Sequence, residues 1–193
     1  MVRRVVLLCA CLSAAVVHAE TGYDAWLRYA RMDAASVRQY QETMPPVVAA
    51  VGESEMVASA KQELVRGIRG MLGSTLRVEA RVPAEPAVVL GTVADLRRVA
   101  PRLAPNGTIG TEGYRLLTMS DNGVRRLIVA GADERGVLYG TFALLRKIGL
   151  GQSVAHLDET RAPAASIRWL NNWDVLGRET AGTVTAGPGP QTV

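Results

Sequence analysis

Apolar residues recur along the chain at two different spacings, and the change from one to the other marks out its elements. Between Ser54 and Leu72 they stand at Met56, Ala60, Leu64, Ile68 and Met71, steps that gather them on one face of a helix. Ser54 is a natural N-cap and Glu55 puts a carboxylate in the first turn. Gly67 and Gly70 each cost such a helix about 1 kcal/mol relative to alanine, so packing has to offset them. A second helix follows Asp133, with the face Leu138, Phe142, Leu145 and Ile148, the bases Arg146 and Lys147 in its last turn, and Gly149 after it.

The strand signals lie between and before these helices. Residues 21–52 read as a packed, aromatic-rich segment leading into a short strand at Val47 to Val51, with Pro45 and Pro46 stopping any helix from running on. Leu76 to Val82 and Ala87 to Val93 predict two more strands; the second, AVVLGTV, is a continuous apolar run of the kind a fully buried strand carries. ADLRRVAPRL predicts a short helix closed by Pro105-Asn106-Gly107. GYRLLTM, then Ser120-Asp121-Asn122-Gly123, then VRRLIVAG predicts a hairpin, because Asn-Gly suits a two-residue turn with positive φ at both centres. The order strand, helix, strand, hairpin, helix describes an α/β fold: a small mixed β-sheet with helices packed on one face. No internal repeat is visible. Residues 151–165 read as a linker, and 178–193 carry no periodic pattern.

Composition changes this picture mainly at the start. MVRRVVLLCACLSAAVVHAE has a basic beginning, an apolar run from Val5 to Val17 and a small-residue exit, the three parts of a secretory leader at 1–19. The apolar run is too short to span the roughly 30 Å hydrocarbon core of a bilayer, so no membrane association is expected once the leader is removed. Export, to a periplasmic or extracellular location, is the expectation. Both cysteines, Arg3, Arg4 and one of two histidines belong to the leader, so the remaining chain has neither disulfide nor thiol chemistry. Its net charge falls from +4 to +2, which is no signature of a nucleic-acid partner. The remaining length suits one domain.

The same counts exclude much chemistry. His156 is the sole histidine outside the leader and no cysteine accompanies it, so neither a zinc site nor a serine triad has its usual residues, and no metal or cofactor is expected. His156 lies in VAHLDET, where a solvated loop position is the simpler reading. Gly131-Ala132-Asp133-Glu134-Arg135-Gly136 has the strand-to-helix setting of a phosphate loop but not its Gly-Lys-Ser/Thr ending, and its two acids would repel phosphate. Helix capping explains it better, with Gly136 and Gly140 forming a smooth face toward the sheet. The adjacent acids Asp133-Glu134 and Asp158-Glu159 do not offer two carboxylates across one bond, as glycoside hydrolysis requires. No catalytic residue is assigned. Trp169, Asn171, Asn172, Trp173 and Asp174 form the densest set of sugar-compatible groups, flat faces beside amides and a carboxylate. The competing reading is a buried strand of a larger domain.

Four segments, YDAWLRY (23–29), VVLGT (88–92), LIVAGADERGVLYGTFALLRKIG (127–149) and IRWLNNWD (167–174), resemble in this order the N-terminal region of bacterial α-glucuronidases of glycoside hydrolase family 67. GxLYGTFALLR is the most specific portion. The resemblance implies removal of glucuronic acid or its 4-O-methyl derivative from xylooligosaccharides with inversion. It also implies an N-terminal α/β domain like the one preceding the barrel in β-hexosaminidases, then a (β/α)8 catalytic barrel. The implied division is leader 1–19, α/β domain 20–150, linker 151–165, a stub of the first barrel strand at 166–177 and a tail at 178–193. Trp173 is the implied substrate-pocket residue, with Asn172 and Asp174 as neighbours.

After Asp174 the family pattern continues with an Asn-Leu-Asp-Gly turn and an Arg-Gly-Tyr-Ala-Gly segment, whereas this chain reads VLGRETAGTVTAGPGPQTV. The family's general acid and base belong to later barrel strands, and one strand cannot form such a site. The expectation is therefore an N-terminal domain acting in xylan breakdown, truncated by a frame change or gene split and inactive alone, with aldouronic acids and the missing catalytic domain as its partners. The alternative is a stand-alone carbohydrate-binding or interaction module.

Overall fold

The computed structural model describes residues 29–165 and 167. The chain divides at Ala162/Pro163, and every helix and strand among the described residues lies in the unit that ends at Ala162. The expected barrel strand at 166–177 and the tail lie outside the described residues, Ile167 apart.

The elements are α1 (Ala34–Thr43), β1 (Val47–Val51), α2 (Glu55–Leu72), β2 (Arg77–Glu79), β3 (Ala87–Thr92), α3 (Val93–Val99), a 3-10 turn (Pro101–Leu103), β4 (Tyr114–Asp121), β5 (Val124–Gly131), α4 (Glu134–Gly149) and β6 (Asp158–Arg161). The six strands form one mixed sheet in the order β2-β1-β3-β5-β4-β6. The neighbours β2-β1, β1-β3 and β3-β5 are parallel, and β4 runs antiparallel to β5 and β6. The central strand β3 is buried along its whole length, as its unbroken apolar run requires with layers on both faces.

Strand alternation sends Val48, Val88, Leu90, Leu116, Leu127 and Val129 to one face, where they meet Tyr40 of α1, Leu64 and Ile68 of α2, and Leu144 and Ile148 of α4. Val47, Val51, Ala87, Val89, Ile128 and Ala130 point the other way and are covered by Leu96 of α3 and Leu103 of the 3-10 turn. The mixed sheet with helices is as expected, but its helices occupy both faces. The physical reason is β3 and β5: strands apolar on both sides leave a second face that has to be covered.

Three further differences have local causes. Helix α1 was read only as a packed segment, because AASVRQYQET buries a single residue, Tyr40. It is specified by its cap, where Asp33 accepts from Ala35 N and Ser36 N, and by Tyr40, whose hydroxyl donates to the Gln152 carbonyl at 2.6 Å. Strand β6 falls in the expected linker. Its sequence, DETR, is wholly polar, and it is held by pairing Leu117↔Asp158 through Tyr114↔Arg161 with β4. In α4 the buried face is Val137, Gly140, Thr141, Leu144, Leu145 and Ile148, turned from the expected one so that Leu138 is only partly buried.

The glycines explain that turn. A Cβ at Gly136 would lie 2.0 Å from the Gly113 carbonyl oxygen, and one at Gly140 would lie 2.8 Å from Val129 Cγ1. The smooth face of α4 therefore sits against β4 and β5, and the bulkier side chains flank it. In α2, a Cβ at Gly67 would lie 2.6 Å from Leu145 Cδ2, so the glycine that weakens the helix lets it approach α4. The predicted hairpin is present, with Asn122 at φ 52° and Gly123 at φ 79°.

Candidate functional site

The residues singled out from sequence divide sharply once placed. Trp169, Asn172, Trp173 and Asp174 lie outside the described residues. The two acidic pairs are described, and each acid has a structural partner or role.

Asp133 stands before α4 because an extended N-cap with a short carboxylate can take an orphan amide of the first turn. Its Oδ1 accepts from Gly136 N at 2.9 Å, and its Oδ2 accepts from Glu112 N at 2.8 Å. Glu134 occupies the first helical turn and is exposed. Asp158 and Glu159 are consecutive on a strand, so their side chains leave opposite faces of the sheet. Asp158 Oδ1 takes Arg115 Nε at 2.9 Å and Nη2 at 2.7 Å, while Glu159 pairs with Lys147 Nζ of α4 at 2.5 Å. Neither pair places two carboxylates across a common space. These acids pin the edge strand and cap a helix.

His156 is exposed beside a shallow groove that Thr118, Met119 and Arg125 also line. Among the described residues no group of three or more His, Cys, Asp or Glu could hold a metal ion, and no helix is long and apolar enough to cross a membrane.

A further concavity among the described residues has no motif in the sequence to mark it. Strand β1 connects through α2 to β2 on one side, and β3 lies on its other side, so the strand order reverses around β1. Outside the carboxyl ends of such strands an open α/β sheet leaves a crevice. A cleft of about 630 Å3 lies here, walled by Val51 to Glu53 after β1, Arg81 and Val82 after β2, and Arg98 and Val99 at the end of α3. Gly52 has φ 108°, and a Cβ there would come within 3.0 Å of Asp95 Oδ2, so glycine lets the β1 loop turn away beside α3.

The charges of the cleft are ordered from its α3 side. Thr92 caps α3 by accepting from Asp95 N at 3.0 Å, and its hydroxyl donates to Asp95 Oδ2 at 2.7 Å. Asp95 Oδ1 accepts from Arg98 Nη2 at 2.9 Å. The Arg98 hydrogen bond, then that of Thr92, holds the Asp95 carboxyl below its ordinary value of 3.8. Arg81 is exposed and, among the described residues, has no carboxylate partner. The only sequence signal for this site is indirect: an apolar strand ending in Val51-Gly52, and Thr92 with Asp95 opening a helix whose bases come at its end.

A second polar cluster lies under the start of the described chain. Tyr29 Oη donates to Glu63 Oε1 at 2.5 Å, Arg66 Nη2 lies 3.1 Å from the same oxygen, and the Arg66 guanidinium stacks 5.3 Å from the Tyr29 ring centre. Glu63 is a buried carboxylate, and this ring and guanidinium satisfy it.

Residues 25–144 match the family model described as the Glycosyl hydrolase family 67 N-terminus. The chain is 32% identical over 201 residues to the Alpha-glucuronidase of Hypocrea jecorina, an alignment covering 100% of this chain and 23% of that protein. It is 34% identical over 197 residues to Alpha-glucuronidase A of Emericella nidulans, covering 99% of this chain and 22% of that one. The chain thus spans less than a quarter of the length of these curated relatives. Among solved structures, a family GH115 4-O-methyl-α-glucuronidase with specificity for decorated arabinogalactans aligns with a TM-score of 0.49 and 19% identity over 63% of this chain and 18% of its own.

Proposed function

Because the chain belongs to glycosyl hydrolase family 67 through its N-terminal domain, we propose that it serves α-glucuronidase action in xylan breakdown as the domain that accompanies the catalytic barrel. The observation that carries this reading is the coincidence of match and fold: the matched residues run from ahead of Tyr29 into the last turns of α4. In this reading the general acid and base belong to a part of the enzyme outside the matched segment. The acids of the described residues support that division, since the two adjacent pairs are committed to Arg115, Lys147 and the α4 cap.

The substrate in this reading is a glucuronic-acid-bearing xylooligosaccharide, and Trp173, with Asn172 and Asp174 beside it, is where the chain would meet it. The leader pattern at 1–19 supports export to a periplasmic or extracellular space. The test is direct. The purified chain, incubated with aldouronic acids, is expected to release no glucuronic acid; release above a no-protein control would show that the chain carries a complete active site and would overturn the division of labour.

A further inference from the structure

We infer that the cleft at the carboxyl ends of β1 and β2 is a binding site for an acidic saccharide, with Arg81 as its carboxylate-binding residue. The class of ligand rests on the α-glucuronidase reading; the site itself rests on the structure.

Four features of the cleft point the same way. Its place is the strand-order reversal around β1, where open α/β sheets bind their ligands. Its volume, about 630 Å3, is within the 300–1,000 Å3 usual for small-ligand sites. Its lining includes three valines, Val51, Val82 and Val99, the last 54% exposed although the rest of α3 packs through Leu96. The charged residues that line it are Arg81, Arg98 and Glu53.

A pyranose ring presents a C–H face and an edge of hydroxyls, and a uronic acid adds one carboxylate. The valines match the first and Glu53 can accept from the second. Arg81, with no carboxylate partner among the described residues, offers the planar fork that meets a carboxylate through two parallel N–H donors. Arg98 is prearranged differently. Asp95 accepts from one of its amino groups, and its remaining donors are available to the ligand. Arg98 already has Asp95, so a neutral xylan chain would leave Arg81 as the cation without a counter-charge. The cleft therefore selects the decorated saccharide over the bare backbone.

The test uses the full chain, titrated with an aldotetraouronic acid and with xylotetraose while amide shifts are followed by two-dimensional NMR. The expected result is saturable shifts centred on Gly52, Glu53, Arg81 and Val99 with the acidic sugar, at least tenfold weaker binding by Arg81→Ala, and no matching response to xylotetraose. Arg69→Ala, on the outer side of α2, should bind as the parent does. Shifts centred elsewhere, equal response to the neutral sugar, or unchanged affinity in Arg81→Ala would overturn the inference. So would the absence of any shift at millimolar ligand. None of these outcomes touches the family reading, which would fail instead through glucuronic acid release by the chain alone.

Discussion

Gly136 leaves no room for a side chain, since a Cβ there would lie 2.0 Å from a backbone oxygen that cannot swing aside. Gly136→Ala should therefore destabilise the domain by about 1–3 kcal/mol, the range for overpacking, read as a lower midpoint in thermal or urea unfolding. Tyr40→Phe removes the hydroxyl that ties α1 to the Gln152 carbonyl; the expected loss is about 1 kcal/mol by the same measurement. Asp95 supplies a pH dependence of known sign. Its folded-state pKa lies below 3.8, so the stabilisation is fully present above that value and is lost as pH falls through the folded value. The gap in melting temperature between the parent and Asp95→Asn should be present at neutral pH and close in acid. A gap that does not change with pH would mean that the carboxylate contributes no charge-dependent stability.

At the scale of elements, legibility followed apolar periodicity. Helix α2 was read with its cap and most of its buried face, and the hairpin with its turn, because both carry their signals within a few residues. Gly123→Ala tests the turn reading: at φ 79° an added Cβ should cost about 1–2 kcal/mol. Strand β6 was invisible because DETR has no alternation; its order comes from β4 and from ion pairs with Arg115 and Lys147, residues distant in sequence. In α4 the bulky residues do not mark the buried face, because the sheet meets Gly136 and Gly140. The cleft was illegible for a related reason. It is made by three chain segments that only the strand order brings together, and none of Gly52, Arg81 or Arg98 is distinctive where it stands in the sequence.

At the scale of the whole molecule, the helices and strands of the described residues belong to the unit that ends at Ala162, and both faces of its sheet are covered. Removing residues 166–193 is expected to leave the melting temperature unchanged; a drop of several degrees would show that the tryptophan-bearing segment packs on the domain. The family assignment predicts that this unit can stand in for the matching part of a relative. The most direct measurement is a chimera in which this chain replaces the aligned segment of the Hypocrea jecorina α-glucuronidase, assayed for glucuronic acid release from aldouronic acids. The assignment predicts a soluble chimera with activity well above that of the same relative lacking the segment. A chimera no more active than that deletion would contradict it.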